Sequence, residues 1–493
     1  MKENVNPNPF EQRTGSSKLS KPFFYLSLLL CAVLSGVLIG RWGWIVGALL
    51  MLVPLGLVYW VVLFKKPEFG FYTVVVLGFL LLGLGRYLGN VPVGLGMDGI
   101  LVTTYVALIF SQFHQRIDWA PTKNVVTLLA ALWFGYSILQ FVNPEMRSIS
   151  AYIGGVRGIS FYMMLLIPLV LLLVNSTKRL NVFFILWGAL SILASLKGFQ
   201  QFLIGVDPWE RAWLNAGGAE THVIMGKLRI FSFMSDAGQF GANQAYSAVV
   251  AGILATQASS RKMKLFFTIV ATLGILGLFL SGTRGAIAVP LAGMMMYFVL
   301  RKNIKVLVAG ILLLSVVFVF FKYTTVGQSN YQIRRMRTAF DVNDPSLQVR
   351  LKNQKLLKTY LANKPFGGGI GHAGIKAQRF LPNAFLSNVA TDSWYVLIWA
   401  EQGIVGLCLH LFILLFILFK SIHLILFRIR DPDIKLKMTA MTSGYFGVLV
   451  ASYGNAVLGT MPTAILIYTS MALMMNATHF DQLKNHELPN KID

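Results

Sequence analysis

Long apolar runs alternate with short polar connections along the whole chain. A membrane-spanning helix needs about 20 mostly apolar residues, and about fourteen such runs can be placed in the sequence. They lie near residues 22–40, 43–64, 69–86, 94–113, 123–142, 159–176, 180–201, 238–257, 263–281, 284–301, 304–322, 393–419, 438–457 and 461–477. The pattern predicts an all-α, polytopic membrane protein with a polar N-terminal arm at residues 1–21 and a polar C-terminal tail at 478–493.

Lysine and arginine are spread unevenly over the connections between these runs. Cytoplasmic loops carry an excess of both residues, and every second connection is the richer one. The richer connections hold Lys65, Lys66, Arg116, Lys123, Lys178, Arg179, Arg261, Lys262, Lys264, Arg301, Lys302, Lys305, Arg428, Arg430, Lys435 and Lys437. This alternation predicts that both termini are cytoplasmic, with spans 1–11 over residues 22–322 and spans 12–14 over residues 393–477.

Two connections on the predicted outer side are much longer than the others, at residues 202–237 and 323–392. Long loops cross a membrane largely regardless of their charge, so their cations do not contradict the topology. The second loop carries ten basic residues, namely Arg334, Arg335, Arg337, Arg350, Lys352, Lys355, Lys358, Lys364, Lys376 and Arg379. We therefore expect the chemistry of this protein to take place against that loop.

The long loop contains a predicted amphipathic helix at residues 346–361. Leu347, Leu351, Leu357 and Leu361 recur mostly at four-residue spacing, while basic residues cover the other faces. Such a helix would lie on the bilayer surface or cap a cavity. The proline and glycines that follow it, at residues 364–372, predict a turn, because they end helices and permit unusual backbone angles.

Composition supports the membrane assignment. The chain is 56% hydrophobic and 13% charged, with a mean hydropathy of +0.65, whereas soluble proteins have about 25% charged residues. The net charge of +24 is explained by loops that set topology and contact anionic lipids, and no nucleic-acid partner is expected. Cys31 and Cys408 lie in apolar runs and are interpreted as small packing residues.

Arginines at the outer ends of spans are the first candidates for chemistry. Arg229 and Arg284 are embedded in small or polar residues, and Arg157, Arg211 and Arg350 lie on the same predicted side. Guanidinium groups bind phosphate oxygens in a bidentate manner and stay charged in any surroundings, so several together would suit a lipid diphosphate. The alternative is that each of them extends to the lipid headgroups.

Carboxylates at the exit of the long loop are the second candidates. Asp392 could accept a proton from a hydroxyl as a general base, or it could cap the following helix together with Ser393. Glu401 would lie roughly 13 Å deeper along that helix. A carboxylate at such a depth either forms an ion pair or lines a wet cavity where it contacts substrate.

His372, in the glycine turn, is the one histidine of the long loop, and it has either a structural or a substrate-binding role. The sequence has no HExxH segment, no Walker loop, no GxSxG segment and no aspartate-rich cluster. Zinc proteolysis, ATP hydrolysis and serine hydrolysis therefore have no support in the sequence.

Four of these features together resemble the O-antigen ligase and polysaccharide polymerase family of bacterial membrane glycosyltransferases. They are the segment from Arg229 to Gly241, the Ser-Gly-Thr-Arg-Gly-Ala segment at 281–286, Arg350 upstream of the glycine turn, and Asp392-Ser393 followed after nine intervening residues by Gly403-Ile404-Val405-Gly406. The similarity extends over about residues 180–420. In the family, a histidine stands where this chain has Asp392.

The resemblance implies a GT-C-like helical fold whose active site faces the periplasm at the bacterial inner membrane. The donor would be a polyprenyl-diphosphate-linked glycan, such as an undecaprenyl-diphosphate glycan, and the acceptor a hydroxyl of the lipid A core of lipopolysaccharide, of a growing polysaccharide or of a protein. The transfer would be inverting and would need no metal, cofactor or nucleotide sugar. Arg229 and Arg284 would stabilise the diphosphate, and the base would be Asp392, or His372, unless this subgroup handles its acceptor differently.

Two other classes of protein compete with the enzyme. A glycolipid flippase or another polysaccharide transporter could also use many spans and a basic cavity, but it should show internal repeats and polar residues at the bilayer midplane. No internal repeat is evident, and the polar residues lie near the outer ends of the spans. A scaffold protein would have no need of so many outward arginines.

Overall fold

The computed structural model describes residues 21–42, 44–89, 93–113, 117–224, 226–258, 260–341 and 343–487. Nearly all of the predicted N-terminal arm, the final residues of the predicted tail and Arg116 lie outside these ranges. The chain divides into two units, residues 1–66 and 67–493. In the first unit, helices α1 (Lys21–Trp42) and α2 (Trp44–Lys65) pack against each other.

The second unit is built almost entirely of helices in the described residues. Its α-helices are α3 (Glu68–Leu88), α4 (Gly94–Ser111), α5 (Val125–Leu139), α6 (Ile149–Val156), α7 (Tyr162–Leu173), α8 (Thr177–Leu203), α9 (Pro208–Trp213), α10 (Ala219–His222), α11 (Ala237–Thr256), α12 (Arg261–Ser281), α13 (Ala288–Leu300), α14 (Ile304–Tyr323), α15 (Tyr331–Arg337), α16 (Pro345–Tyr360), α17 (Trp394–Phe427), α18 (Pro432–Ala451), α19 (Thr463–Met475) and α20 (Ala477–Glu487). Strands β1 (Val223–Ile224) and β2 (Lys227–Leu228) form one small antiparallel hairpin.

Short helical turns of other types join or extend these helices. The 3-10 turns are Ala120–Thr122, Gln140–Val142, Arg284–Ile287, Thr338–Phe340, Ile375–Arg379 and Leu386–Asn388, and the π-turns are Arg157–Phe161 and Leu214–Gly218. The π-turn at Arg157–Phe161 joins α6 to α7, so that one helical segment runs over residues 149–173.

Each predicted apolar run coincides with a helix, which confirms an all-α membrane protein. Eight helical segments of the described residues are long and apolar enough to cross a membrane on their own. They are Glu68–Leu88, Gly94–Ser111, Val125–Val142, Ile149–Leu173, Thr177–Leu203, Arg261–Ser281, Ile304–Tyr323 and Trp394–Phe427. The count of fourteen crossings and the GT-C-like arrangement stay predictions.

Several predicted boundaries were wrong, for local reasons. The run placed at 159–176 starts at Ile149, because the Ser148 hydroxyl caps α6 by accepting from Ala151 N. The run placed at 438–457 starts at Pro432, behind the capping carboxylate of Asp431. Polar caps fix where a helix begins, whereas hydropathy alone places the boundary where apolar residues begin.

Helix α11 lies at the centre of the second unit, where it contacts α12, α13 and α18. Two of its buried polar side chains have partners on neighbouring helices. Gln244 accepts a hydrogen bond from Ser191, and Tyr246 shares one with Ser470. A helix shielded from lipid can carry such residues where neighbouring helices offer them hydrogen-bond partners.

The amphipathic helix of the long loop is α16, which runs from Pro345 to Tyr360 against the predicted 346–361. Leu357 and Leu361 are buried in a small core with Leu386 and Ala400, so the C-terminal half of α16 packs on the loop itself and on α17. Both predicted placements of the helix, on the surface of the bilayer and as the cap of a cavity, stay predictions.

Candidate active site

The glycine turn is inserted into a break in α17. Gly403 interrupts that helix with φ +69°, a left-handed conformation that favours glycine. The N–H groups of Gly368 and Gly369 donate to the carbonyl oxygens of Ala400 and Glu401, at 2.9 Å each. A Cβ on Gly403 would lie 1.9 Å from the carbonyl oxygen of Pro365. The loop and the helix therefore fit together only with a glycine at position 403.

His372 fastens the same turn to the segment before α6. Its Nε2 accepts hydrogen bonds from the backbone N–H groups of Arg147 (2.9 Å) and Ser148 (3.2 Å). Its Nδ1, which must then carry the proton, donates to Ile370 O at 2.8 Å. Burial lowers the pKa of His372. Both ring nitrogens are thus engaged within the protein, and the imidazole is held neutral.

Arg229 and Arg284 come together beside the turn at residues 282–284, as the sequence analysis expects. Arg229 donates from Nη2 to Thr283 Oγ1 at 3.0 Å and from Nη1 to Thr221 O at 3.1 Å. Burial, and then the positive charge of the neighbouring Arg335, lower the pKa of Arg229 to about 10. The group is still charged at neutral pH, and among the described residues no carboxylate forms an ion pair with it.

Arg335 is a third guanidinium at this place, which sequence reasoning counted among the loop cations but did not single out. It donates from Nε to Gly282 O at 2.6 Å, and burial lowers its pKa. Three guanidinium groups from separate segments thus surround one turn. Such a surplus of positive charge, partly removed from water, favours a bound anion.

Asp344 links this arginine cluster to α16. One carboxylate oxygen caps the helix by accepting from Leu347 N at 3.1 Å, and the other forms an ion pair with Arg284. Burial acts to raise the pKa of Asp344, but the hydrogen bond and charge of Arg284 outweigh it and lower that pKa. Arg284 also donates to Thr338 Oγ1 at 3.0 Å.

Asp392 is free of the capping role that the sequence left open. The cap of α17 is Ser393, whose hydroxyl accepts from Val396 N at 3.4 Å and donates to Ser452 O at 3.3 Å. The Asp392 side chain is half exposed and accepts a hydrogen bond from Nε of Arg350 at 3.1 Å. Ser393 therefore caps the start of α17, while the Asp392 side chain contacts α16.

The Arg350–Asp392 contact joins residues that line two different cavities. The smaller has a volume of about 270 Å³, lies between α16 and residues 284–291, and is lined by Arg284, Asp344, Arg350 and a mixture of other polar and apolar side chains. The larger, of about 660 Å³, is lined by Asp392 and Glu401 together with small residues of the glycine turn and of α6. Most ligand pockets fall in the range of about 300–1,000 Å³, so the pair could hold a substantial substrate.

Glu401 lies at the base of the larger cavity and is almost fully buried. Its carboxylate accepts from backbone N–H groups of the glycine turn, with Ala373 N 3.3 Å from Oε1. Within the described residues no basic side chain forms an ion pair with it. The sequence leaves open whether Glu401 forms an ion pair or lines a cavity, and in the structure it lines the cavity.

Arg157 and Arg211 lie in different surroundings. Arg157 lines the larger cavity, where it forms an ion pair with Asp98 at 2.6 Å and donates to Tyr162 Oη at 3.1 Å. Arg211 is exposed on α9, and it does not line either of the two cavities. The structure thus brings Arg157 to the site and leaves Arg211 outside it.

Lys376 and Arg379 are further cations of the larger cavity. The sequence places them among the basic residues of the long loop but does not mark them as site candidates. Both lie on the 3-10 turn Ile375–Arg379 and are exposed at the cavity wall. Burial acts to raise the pKa of Asp236, but the positive charge of Lys376 and hydrogen bonds to the carboxylate outweigh it, so that this pKa is lowered. No local sequence signal distinguishes these two residues from the other loop cations.

The helices and the paired cavities define an all-α membrane protein with a basic, loop-covered site. Residues 268–411 match the family described as O-Antigen ligase, which confirms the resemblance to the O-antigen ligase and polymerase family. The match covers less than a third of the chain and includes Arg284, Asp344, Arg350, Asp392 and Glu401. No curated protein matches the chain.

Proposed function

We propose that this protein is an O-antigen ligase-like or polymerase-like glycosyltransferase of cell-surface polysaccharide biosynthesis. It moves a glycan from a polyprenyl-diphosphate donor to a hydroxyl acceptor at the outer face of the bacterial inner membrane, with its site toward the periplasm. The acceptor is the lipid A core, a growing polysaccharide or a protein. The observation that carries the proposal is the contact between Arg350 of the smaller, arginine-lined cavity and the half-exposed carboxylate of Asp392 in the larger one.

The smaller cavity and the adjoining arginine cluster suit the diphosphate. Arg284 and Arg350 line the cavity, and Arg229 and Arg335 lie behind Arg284. Preorganised cations aimed at a leaving group stabilise the charge that develops there. The cavity also has apolar wall residues, including Leu291 and Phe340, beside polar ones such as Gln354. The apolar part suits the first part of a polyprenyl chain.

The larger cavity suits the reacting sugar and the acceptor. In the reaction, the acceptor oxygen bonds to the anomeric carbon, and the bond from that carbon to the diphosphate oxygen breaks on the opposite face, which inverts the configuration. The electron pair leaves with the diphosphate and the acceptor proton passes to Asp392. The cavity position of Asp392 supports this role, and Glu401 and Arg157 would orient hydroxyl groups of the two sugars.

Helix α16 would cover the site and limit wasteful hydrolysis by water. Ser393 and His372 support the site through the backbone, since they fix the start of α17 and the glycine turn. The exposed Arg211 would contact glycan or lipid headgroup at the rim. No metal enters this scheme, because arginines supply the positive charge at the leaving group.

A reconstituted reaction tests the proposal. Purified protein in liposomes is supplied with a polyprenyl-diphosphate glycan and a glycan or lipid A core acceptor, and the transferred product and released polyprenyl diphosphate are measured. We expect both products in equal amounts from the wild type and neither from R229A or R284A at equal membrane levels. Movement of intact donor across the bilayer without transfer would instead identify a flippase. Deletion of the protein in its host distinguishes a ligase from a polymerase. Loss of a ligase leaves free polymer, whereas loss of a polymerase leaves single repeat units.

A further inference from the structure

A third polar cavity lies at the opposite end of the helices from the candidate active site. Helices α11 and α18 each have an end at the site, near Asp236 and Ser452, and run away from it for 20 residues, or about 30 Å. At their far ends, a cavity of about 200 Å³ is lined by side chains that include Gln257, Arg301 and Lys435. The cavity is therefore separate from the two described above.

The two cations of this cavity are not neutralised by the protein. Within the described residues, neither Arg301 nor Lys435 forms an ion pair with a carboxylate. The acidic neighbours are engaged elsewhere: Asp433 pairs with Lys437 at 2.6 Å, and Asp431 caps α18 by accepting from Ile434 N at 2.9 Å. A positive surplus is thus concentrated at one polar recess.

Neutral hydrogen-bonding groups line the same recess. The Tyr297 and Thr439 side chains belong to its wall and are largely buried, and the amide of Gln257 is exposed at it. Hydroxyl, amide and cationic donors together are the groups that hold phosphate oxygens. Since one water occupies about 30 Å³ of liquid, the volume accommodates a phosphate group with the atoms attached to it.

We infer that this cavity binds the phosphate group of an anionic phospholipid. Lipid is favoured over the free anion by the surroundings: α13, which ends at the cavity, packs beside α14, and the apolar side chains Ile304, Val308 and Ile311 of α14 are exposed. Acyl chains could extend along that helix while the headgroup occupies the cavity. Basic pockets between membrane helices bind such headgroups in this way.

The inference does not depend on the glycosyltransferase proposal, and it is tested by binding alone. Full-length protein in neutral detergent is equilibrated with phosphatidylglycerol or with phosphatidylcholine, and bound lipid is counted by native mass spectrometry. We expect tight retention of phosphatidylglycerol only, and about tenfold or greater weakening in R301Q/K435Q, from the loss of charge-assisted hydrogen bonds. The variant R301K/K435R keeps the charge and should retain binding, which guards against a folding defect.

The matched control is K262Q/K264Q, which removes two cations from the same end of the helices without touching the cavity lining. It should bind phosphatidylglycerol like the wild type. Equal binding by R301Q/K435Q and this control would overturn the inference. A parallel titration with inorganic phosphate distinguishes the sources: displacement of the lipid by low phosphate would keep the phosphate site but overturn the lipid as its ligand.

Discussion

Arg350 and Asp392 are 42 positions apart in the chain, yet Nε of Arg350 lies 3.1 Å from Oδ2 of Asp392. Arg350 lines the smaller cavity and Asp392 the larger one. A donor diphosphate bound by Arg350 would compete with this contact and leave the Asp392 carboxylate available to an acceptor hydroxyl. The ion pair thus offers a direct link between donor binding and the proposed base.

Replacing Asp392 with Asn tests the base directly. The change removes the proton acceptor but keeps the size of the side chain, and the start of α17 is preserved because Ser393 is the cap. We expect turnover to fall by about 10²–10⁴-fold, the usual contribution of general-base catalysis, at normal membrane levels. The control is D118N, at an exposed carboxylate that accepts a hydrogen bond from Ala120 N. Wild-type turnover in D392N would remove Asp392 from the mechanism.

Replacing Arg350 with Gln should affect donor binding far more than stability. Its ion pair is partly exposed, at 31% for Arg350 and 50% for Asp392, and exposed pairs contribute about 0–1 kcal/mol. We expect the melting temperature to stay near that of the wild type, while the donor KM rises about tenfold or more through loss of charge-assisted hydrogen bonds. The donor KM of R350K should lie between those of the wild type and R350Q, because lysine keeps the charge but lacks the bidentate fork of arginine. A large loss of stability with an unchanged donor KM would show a purely structural role.

Arg284 requires a paired design, because it also neutralises the poorly exposed Asp344. R284A alone should lose both stability and transfer, since it leaves a carboxylate without its partner. In R284A/D344N the melting temperature should recover, while the rate of transfer stays about 10²–10³-fold down, the typical cost of losing one stabilising donor. Recovery of transfer together with stability would mean that Arg284 serves only to hold Asp344.

The limits of prediction from sequence are clear at particular residues. The helices could be predicted, because about 20 apolar residues in succession have few other stable arrangements. The closeness of Arg229 and Arg284 was also within reach, since both lie at the same predicted ends of spans. The pairing of Arg350 with Asp392 could not be predicted, because it depends on the direction in which α16 crosses the loop. No local sequence pattern encodes that direction.

Neighbouring residues of similar chemistry were equally hard to separate. Asp392 and Ser393 are both good helix caps, and only the position of the first helical turn shows that Ser393 takes the role. Arg335 and Lys376 look like any other cations of the loop in the sequence. Their place at the site comes from contacts with Gly282 and with the larger cavity, which are distant along the chain.

The glycines at the break of α17 should be intolerant of substitution. Alanine at Gly403 would need φ +69° and would place its Cβ 1.9 Å from Pro365 O, and at Gly367 it would face the backbone N of Gly403 at 2.3 Å. Residues in sparsely populated backbone regions cost about 1–3 kcal/mol, and the clashes add to this, so we expect a clearly lower melting temperature for each. Gly135, in α5, has open space around its Cβ position, and G135A should be neutral or stabilising. Equal melting temperatures for G403A and G135A would contradict the interlocked turn.

The buried His372 should make the protein less stable in mild acid. Because burial lowers its pKa in the folded state, the unfolded chain binds a proton as the pH falls through about 6.5 while the folded protein does not. Stability contributed by the neutral ring is therefore complete above about pH 6.5 and declines as the pH falls toward the folded pKa. Melting temperatures measured between neutral pH and about pH 5 should fall in the wild type and fall less in H372Q, whose amide oxygen can accept from Arg147 N. H423Q, at an exposed histidine of α17, should show the wild-type slope, and an equal slope in H372Q would exclude His372 as the source of the acid sensitivity.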